Sequence, residues 1–280
     1  SQRDVVDLSF ETWVSDFERL VDRLELERFA AIGICQGGAV AIEYADRNPG
    51  RVGHLVLFGA YARGRNRRSL PPLDPRKARV MIEMIELGWR ESDSAFMRSF
   101  ATQFQPEGSM DHLSSWCEMQ QHASSARNAA ELTRIMFEID VSQAARRITC
   151  PTLVAHADRD AVAPVEEGRF LAQTIPDATY LELDSANHLM LRGEPAWRVF
   201  VEALHAFLPS ADAAAFATLT ARESEVLQLV ARGLDNHAIG ARLAIAEKTV
   251  RNHLSAILDK LGASTRVEAV VRAREAGYGG

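Results

Sequence analysis

The stretch from Phe29 to Ala45, FAAIGICQGGAVAIEYA, restricts the fold more than any other in this chain. Phe29 to Gly33 read as a strand, Ile34-Cys35-Gln36-Gly37-Gly38 as a glycine-rich turn, and Ala39 to Ala45 as a helix. Glycines flank position 35 because a side chain carried on a sharp strand-to-helix turn needs small neighbours. The start of the following helix offers backbone N–H groups to an anion. The residue raised on the tip of that turn is Cys35.

Such a turn needs a sheet beside it. Further strands are expected at Leu55–Phe58, Thr152–Ala155 and Thr179–Leu183, with helical patterns between them, which argues for a parallel sheet with right-handed crossovers. An amphipathic helix from Phe10 to Leu24 precedes the first strand and places Phe10, Val14, Phe17 and Val21 on one face. Two polar positions follow strand ends, Asp160 in HADRDAVAP and His188 in DSANHLMLRGEP. With Cys35 they give the chain order nucleophile, acid, histidine, although Asp158 competes with Asp160 for the acid role.

On these residues, 1 to 208 resemble the later part of an α/β-hydrolase, with G-x-C-x-G standing for G-x-S-x-G, and the cysteine resembles that of dienelactone hydrolases in the same superfamily. The resemblance implies that Cys35 attacks an acyl carbon, His188 takes its proton, Asp160 fixes the imidazole tautomer, and the N–H of Gln36 serves as an oxyanion donor. It also implies that the chain is truncated. The family fold begins with about four strands and an oxyanion loop ahead of the opening helix, and Ser1 to Asp4 falls where the fourth-strand loop would end. The strand at Phe29–Gly33 is then expected to be an exposed edge, with half of the oxyanion hole lost.

Between Tyr61 and Thr149 the strand pattern stops and helical stretches appear, where the hydrolase family inserts a helical cap. Their apolar residues are Met81, Met84, Ile85, Phe96, Met97, Phe100, Phe104, Trp116, Ile135, Met136 and Phe137, which either line an adaptable ligand pocket or form plain core. The basic run Arg63, Arg65, Arg67 and Arg68 reads as a solvated loop or as an entrance for an anionic substrate. After Leu208, residues 209–217 form a short Pro/Ala/Ser linker.

A separate all-helical unit is expected at 218–280. Thr220-Ala221-Arg222-Glu223 reads as a capping box, Gly233 ends that helix, and Asn236 can cap a short second helix carrying Ile239 and Leu243. The turn Ala244-Ile245-Ala246 leads into Glu247–Gly262, where Val250, Leu254, Ile257, Leu258 and Leu261 make a buried face. Lys248, Arg251, Asn252 and Ser255 fall on the opposite side, each with a donor able to reach a phosphate or a base edge. Thr265-Arg266-Val267-Glu268 opens a last helix with Val267, Val270 and Val271 along one side.

The stretch from Leu219 to Gly277 resembles the LuxR-type helix-turn-helix domain of bacterial transcription regulators over its whole length. The resemblance implies that Glu247–Gly262 enters a major groove of double-stranded DNA and that the last helix pairs two copies as a homodimer. Arg251, Asn252 and Ser255 are then placed near base edges, with Lys248, Thr249 and Lys260 near the sugar-phosphate backbone. One departure is Ala246, where the family usually has a Ser, so that a helix cap worth about 1 kcal/mol is missing.

Charge supports the division. The whole chain is at −6, of which residues 218–280 contribute +2 and the remainder −8, so the excess of cations sits on the DNA-facing unit. Three cysteines form no even framework, no apolar run approaches a bilayer span, and no metal-ligand spacing or cofactor motif is visible. The expectation is a cytoplasmic, sequence-specific transcription regulator, bacterial by resemblance, whose hydrolase-like domain senses an unidentified small molecule or acyl compound. The alternatives are a Cys-dependent esterase or thioester hydrolase with an appended helical dimerisation module, and a hydrolase part that serves only as scaffold.

Overall fold

The computed structural model describes residues 8–68, 75–89, 95–209 and 215–279, and the chain divides into two compact units between Leu204 and His205. The expected loop remnant at Ser1–Asp4 and most of the linker, residues 210–214, lie outside the described residues.

The first unit is built on four parallel strands, β1 (Phe29–Ile34), β2 (Val52–Phe58), β3 (Thr152–Ala157) and β4 (Thr179–Leu183), hydrogen-bonded in that order. Every residue of β3 is buried, as a parallel strand covered on both faces requires. β1 lies at one edge of the described sheet and leaves Ile32 and Ile34 49% and 46% exposed. Helix α1 (Phe10–Arg23) is capped by Ser9, whose Oγ accepts from Thr12 N–H at 3.0 Å. Val14 and Val21 turn inward, and Phe17 meets Tyr44 of α2 (Gln36–Arg47) edge to face at 4.9 Å.

The insertion after Tyr61 forms a cap of helices α3 (Pro75–Gly88), α4 (Ala95–Phe104), α5 (Met110–Ala123) and α6 (Ala126–Glu138), with its own small core around Ile85, Met97, Leu113 and Cys117. Its two ends are stitched side by side. Gly64 donates to Ile139 O at 2.7 Å and Val141 donates to Ala62 O at 2.9 Å. A Cβ at Gly64 would stand 2.2 Å from Met136 O, so only glycine fits there. Beneath this junction Arg63 grips Glu167 of α8 (Val165–Thr174) at 2.7 Å, with the carboxylate fully buried and the guanidinium stacked 3.6 Å over the Phe170 ring. The short helix α7 (Ser142–Ala145) packs against α2 and α8, and Phe200 of α9 (Pro195–Phe207) meets Phe58 of β2 at 5.1 Å.

The second unit packs α10 (Ala221–Ala231), α11 (Asn236–Leu243), α12 (Glu247–Leu261) and α13 (Arg266–Glu275) around Val226, Leu227, Ile239, Val250 and Ile257. The capping box at Thr220 is complete, and Gly233 sits at φ +87° just past α10. Asn236, expected to cap α11, does not. Asp235 is the cap, accepting from Ala238 N–H at 2.8 Å, while Asn236 Oδ1 accepts instead from Arg266 of α13 at 2.7 Å. Either residue type can cap, and the tertiary claim of Arg266 on Asn236 cannot be read from local spacing. The last box is half formed, because Thr265 caps Glu268 N–H but the Glu268 carboxylate reaches Ser264 N–H rather than that of Thr265.

Lys260 donates to Glu223 Oε2 at 2.7 Å and to Thr218 O at 3.1 Å. That contact, with the N–H of Thr220, holds the Glu223 carboxyl down from an ordinary 4.5 to about 2. A depressed folded-state pKa stabilises the fold above the unfolded value and loses that contribution as pH falls through the folded one. Acid titration of the wild-type chain from pH 4.5 towards 2 should therefore loosen this helical unit progressively, followed by circular dichroism. Glu223→Gln should be less stable at pH 7 and lose that component of the acid dependence. An unchanged acid profile in the variant would count against the pairing.

Candidate functional site

Cys35 stands between β1 and α2 with φ +52° and ψ −126°, a left-handed conformation that costs a non-glycine residue about 1–3 kcal/mol. Its N–H is tied to Phe58 O of the neighbouring strand at 3.1 Å, and its carbonyl accepts from Gly38 N–H at 3.1 Å. The turn closes because the chain passes itself at glycines. A Cβ on Gly33 would lie 2.5 Å from Gly38 Cα, and one on Gly38 would lie 2.4 Å from Ala60 Cβ. Gly37, the second glycine of the G-x-C-x-G spacing, has open space around it, so the close approach belongs to Gly33 and Gly38. Gln36 is the first residue of α2, so its N–H has no partner within the helix, and it lines the same cavity as Cys35.

The ends of β3 and β4 bring the other two groups in. Asp160 Oδ2 lies 2.6 Å from His188 Nδ1, both side chains being fully buried, while Asp160 Oδ1 accepts from Val162 and Ala163 N–H at 2.8 and 2.9 Å. Asp158 is occupied elsewhere, accepting from Ser185 N–H at 3.1 Å and from Arg159 at 3.0 Å, so the geometry pairs the histidine with Asp160. The hydrogen bond to Asp160 fixes Nδ1 as the protonated nitrogen of neutral His188 and turns Nε2 towards the cavity that Cys35 lines. Nε2 makes no hydrogen bond of good geometry among the described residues, although the Cys35 side chain is near enough to act on the imidazole. Burial alone lowers the pKa of His188, but the hydrogen bond it donates to Asp160 and the nearby Cys35 outweigh it and hold the imidazole above its ordinary value.

The loop carrying His188 is braced. Ser185 Oγ and Asn187 Nδ2 donate to Glu194 at 2.7 and 3.2 Å, Asn187 Oδ1 accepts from Glu107 N–H at 3.1 Å, and Leu189 N–H reaches Phe104 O at 3.1 Å. Cap and histidine loop are thereby joined. A second histidine escaped the sequence reading. His156 of β3 is completely buried, bonds Ala163 O through Nε2 at 2.8 Å, and lies 3.6 Å from Asp160 Oδ2, with burial lowering its pKa and keeping it neutral. A polar residue in the middle of the apolar strand TLVAHA was the available signal.

Cys35 and His188 open on a cavity of about 660 Å3. The cap residues divide between the two expected roles. Ile85 and Met97 are core, Met84 is exposed, and Met81, Phe100, Phe104, Trp116, Met136 and Phe137 face the cavity. Trp116 Nε1 and Gln120 Oε1, also in its lining, are buried without partners among the described residues. Of the basic run, Arg65 and Arg68 line the cavity, whereas Arg63 and Arg67 pair with Glu167 and Glu138. Among the described residues no cluster of three His, Cys, Asp or Glu side chains could hold a metal ion, and no helix is long and apolar enough to cross a membrane.

In the second unit, α12 buries Val250, Leu254, Ile257 and Leu261 and exposes Lys248, Arg251, Asn252 and Ser255 on its other side, with Thr249 half-buried. Arg251 makes only a loose contact with Glu247 at 3.5 Å. Lys260, expected at the phosphate backbone, is instead held inside the unit by Glu223 and Thr218. Ala246 begins the helix with no side-chain cap. On α13, Val267 and Val271 are 72% and 50% exposed, one turn apart, while Val270 packs inward.

Residues 3–195 match the family described as alpha/beta hydrolase fold, and residues 217–273 match the bacterial regulatory proteins of the luxR family. The transcriptional regulatory protein DegU of Brevibacillus brevis is 50% identical over 60 residues, 21% of this chain and 25% of that protein. LiaR of Bacillus subtilis, also a transcriptional regulatory protein, is 33% identical over 140 residues, 47% of this chain and 65% of its own length. The pimeloyl-acyl-carrier protein methyl ester esterase of Chromobacterium violaceum is 29% identical over 175 residues, 56% of this chain and 61% of that protein. The chain thus spans less than two thirds of each of these relatives. Among solved structures, an esterase from Exiguobacterium antarcticum superposes with a TM-score of 0.61 at 20% identity, over 71% of this chain and 73% of that one, a likeness of fold.

The glycine contacts generate a paired test. Gly33→Ala should cost about 1–3 kcal/mol in denaturant unfolding, because the added methyl meets backbone that cannot yield, and should slow alkylation of Cys35 by iodoacetamide. Gly37→Ala, with room around it and a better helix former in place, should be neutral or slightly stabilising. Equal losses at the two positions would contradict the packing described.

Proposed function

Because the chain belongs to the alpha/beta hydrolase fold family through residues 3–195 and carries a luxR-family regulatory domain at 217–273, we propose that it is a sequence-specific transcriptional regulator whose hydrolase-fold unit senses a small molecule. The observation that carries the DNA-binding half is the two-sided character of α12. Four apolar side chains fix the helix to its neighbours, and the four polar ones opposite are free to enter a major groove. Arg251 offers a bidentate fork to a guanine edge, Asn252 and Ser255 shorter contacts, and Lys248 a charge for phosphate. The unit's net +2 is small for this task, so a homodimer paired through the exposed Val267 and Val271 supplies the second half-site and most of the affinity. A cytoplasmic setting follows from a duplex-DNA partner.

The sensing half rests on the cavity over Cys35, which is lined mainly by apolar and aromatic side chains with few polar groups, the usual character of a small-molecule site. A second reading, a Cys-dependent esterase, is favoured by one specific observation, the alignment of Asp160 with His188 beside a nucleophile held on a strained turn. In that reaction the Cys35 sulfur bonds to the acyl carbon as its proton passes to His188 Nε2. The same proton then leaves with the departing alkoxide, and water repeats the sequence to free the acid.

Two experiments separate these readings. Arg251→Ala should cost about 1–3 kcal/mol on a duplex selected from a random pool and relax the base preference there, whereas Lys248→Ala should weaken all duplexes alike. An equal loss on every sequence for Arg251→Ala would remove its base-reading role. Incubation of the full chain with an activated ester should give one acyl adduct on Cys35 by mass spectrometry, lost in Cys35→Ala and strongly slowed in His188→Ala. Steady product release after the first turnover supports the esterase, and an adduct that persists supports the sensor.

A further inference from the structure

We propose that the ligand of the cavity over Cys35 is an amphipathic anion, whose apolar body lies among the cap's aromatic side chains and whose carboxylate is held by Arg65 and Arg68. This inference rests on the reading of that cavity as a ligand site and adds the chemical class of the ligand.

In the loop Arg63–Arg68 the four arginines are not equivalent. Arg63 is bound to the buried carboxylate of Glu167, and Arg67 pairs with Glu138, to which Asn66 also donates. Glu167 and Glu138 are thereby occupied. Arg65 and Arg68 turn the other way and line the cavity with Cys35 and His188. Among the described residues no Asp or Glu lines it, so the two guanidinium groups are the permanently charged side chains there, beside the ionisable Cys35, Tyr61 and His188. Neither forms an ion pair with a carboxylate among the described residues. Arg68 donates from Nε to Arg63 O at 3.0 Å and lies 5.4 Å from the Tyr61 ring, and Arg65 lies 5.4 Å from the Phe137 ring.

Ring faces and one carbonyl do not replace the hydration of two cations. Burial lowers the pKa of both, and for Arg68 the charges of Glu167, Tyr61 and Cys35 offset this only in part. A desolvated guanidinium pair with no ion-paired carboxylate among the described residues is stabilised by an anion from outside, and the fork geometry suits a carboxylate best. The rest of the wall is mainly apolar, with Phe100, Phe104, Trp116 and Met136 in it, which disfavours a small hydrophilic anion as the occupant. The position of the charge is fixed from below. Arg63 is locked by Glu167 and stacked on Phe170, and the carbonyl of Arg63 in turn holds Arg68.

The test uses the full-length chain with decanoate and decanol as matched probes at pH 7.5, read by quenching of the tryptophans, three of which line the cavity. Wild type should bind decanoate at least about tenfold more tightly than decanol, the ratio expected of one charge-assisted contact. Decanoate should also protect Cys35 from iodoacetamide. Arg68→Gln and Arg65→Gln should each lower decanoate affinity while leaving decanol binding unchanged, and Arg68→Lys should recover part of the loss, with circular dichroism confirming that all remain folded. Equal binding of the two probes, a preference that survives in the Arg65→Gln/Arg68→Gln double variant, or binding of neither would overturn the proposal. Operator affinity is measured on the same samples. If decanoate binding depends on the arginines yet leaves DNA binding unmoved, the anionic site stands and the sensor reading falls.

Discussion

A backbone conformation that an L-residue adopts only under constraint sits at the centre of the larger unit. Cys35 is held at φ +52° because the strand before it and the helix after it cross at Gly33 and Gly38 with no room for a side chain on either. That crossing sets where the sulfur points, and the parallel register does the rest. β2 and β3 run beside β1 in sequence order and β4 follows, so the loops after β3 and β4 open at the same end of the sheet as the turn at Cys35. Asp160 and His188 need no long-range guidance beyond strand pairing to arrive there. Even the space under the imidazole is made by a glycine, since a Cβ at Gly59 would stand 3.1 Å from the His188 ring.

The cap depends on a different kind of constraint. Removing Arg63 and Glu167 from water is expensive, and their attraction offsets this only because the contact is two-pronged and Phe170 covers the guanidinium. Such a pair adds little net stability over an apolar replacement, but it tolerates only one arrangement of the loop that bears it. Specificity of position is what the loop needs, because Arg65 and Arg68 are directed into the cavity by the placing of Arg63 and Arg67 outside it.

Much of this was legible from the chain alone, and all but one of the failures have a common cause. The strand–turn–helix signature at Phe29–Arg47, the order of the three site residues and the amphipathic face of α12 are all local patterns, and local patterns survive folding. What could not be read was choice between chemically equivalent neighbours. Asp158 and Asp160 differ only in which partner reaches them, as do Asp235 and Asn236 beside Arg266, and Gly37 and Gly38 beside Gly33. Lys260 carries the same lesson for charge. Its position on α12 suits a phosphate contact, but Glu223 lies far upstream in the chain and takes its ammonium. His156 was missed for the opposite reason, as a polar residue hidden in a strand that otherwise reads as continuous apolar core.

In the sensor reading, occupancy of the cavity changes DNA binding only to the extent that the ligand binds one state of the protein better than another. A ligand that binds both states equally moves nothing, however tightly it is held. A deep apolar pocket with two guanidinium groups supplies affinity, but affinity alone is not a signal. Cys35, in its proposed role as nucleophile, offers a way to make it one. A thioester on Cys35 joins the acyl group to the strained turn itself, so its contacts are made at the point where the β1–α2 geometry is decided. If deacylation is slow, because an oxyanion donor beyond Gln36 is needed for rapid release, the acylated chain is a distinct and long-lived species rather than an intermediate. Poor turnover is then no defect of a failed enzyme. It is the property that lets the same three residues act as a memory of ligand, on a timescale set by hydrolysis rather than by dissociation.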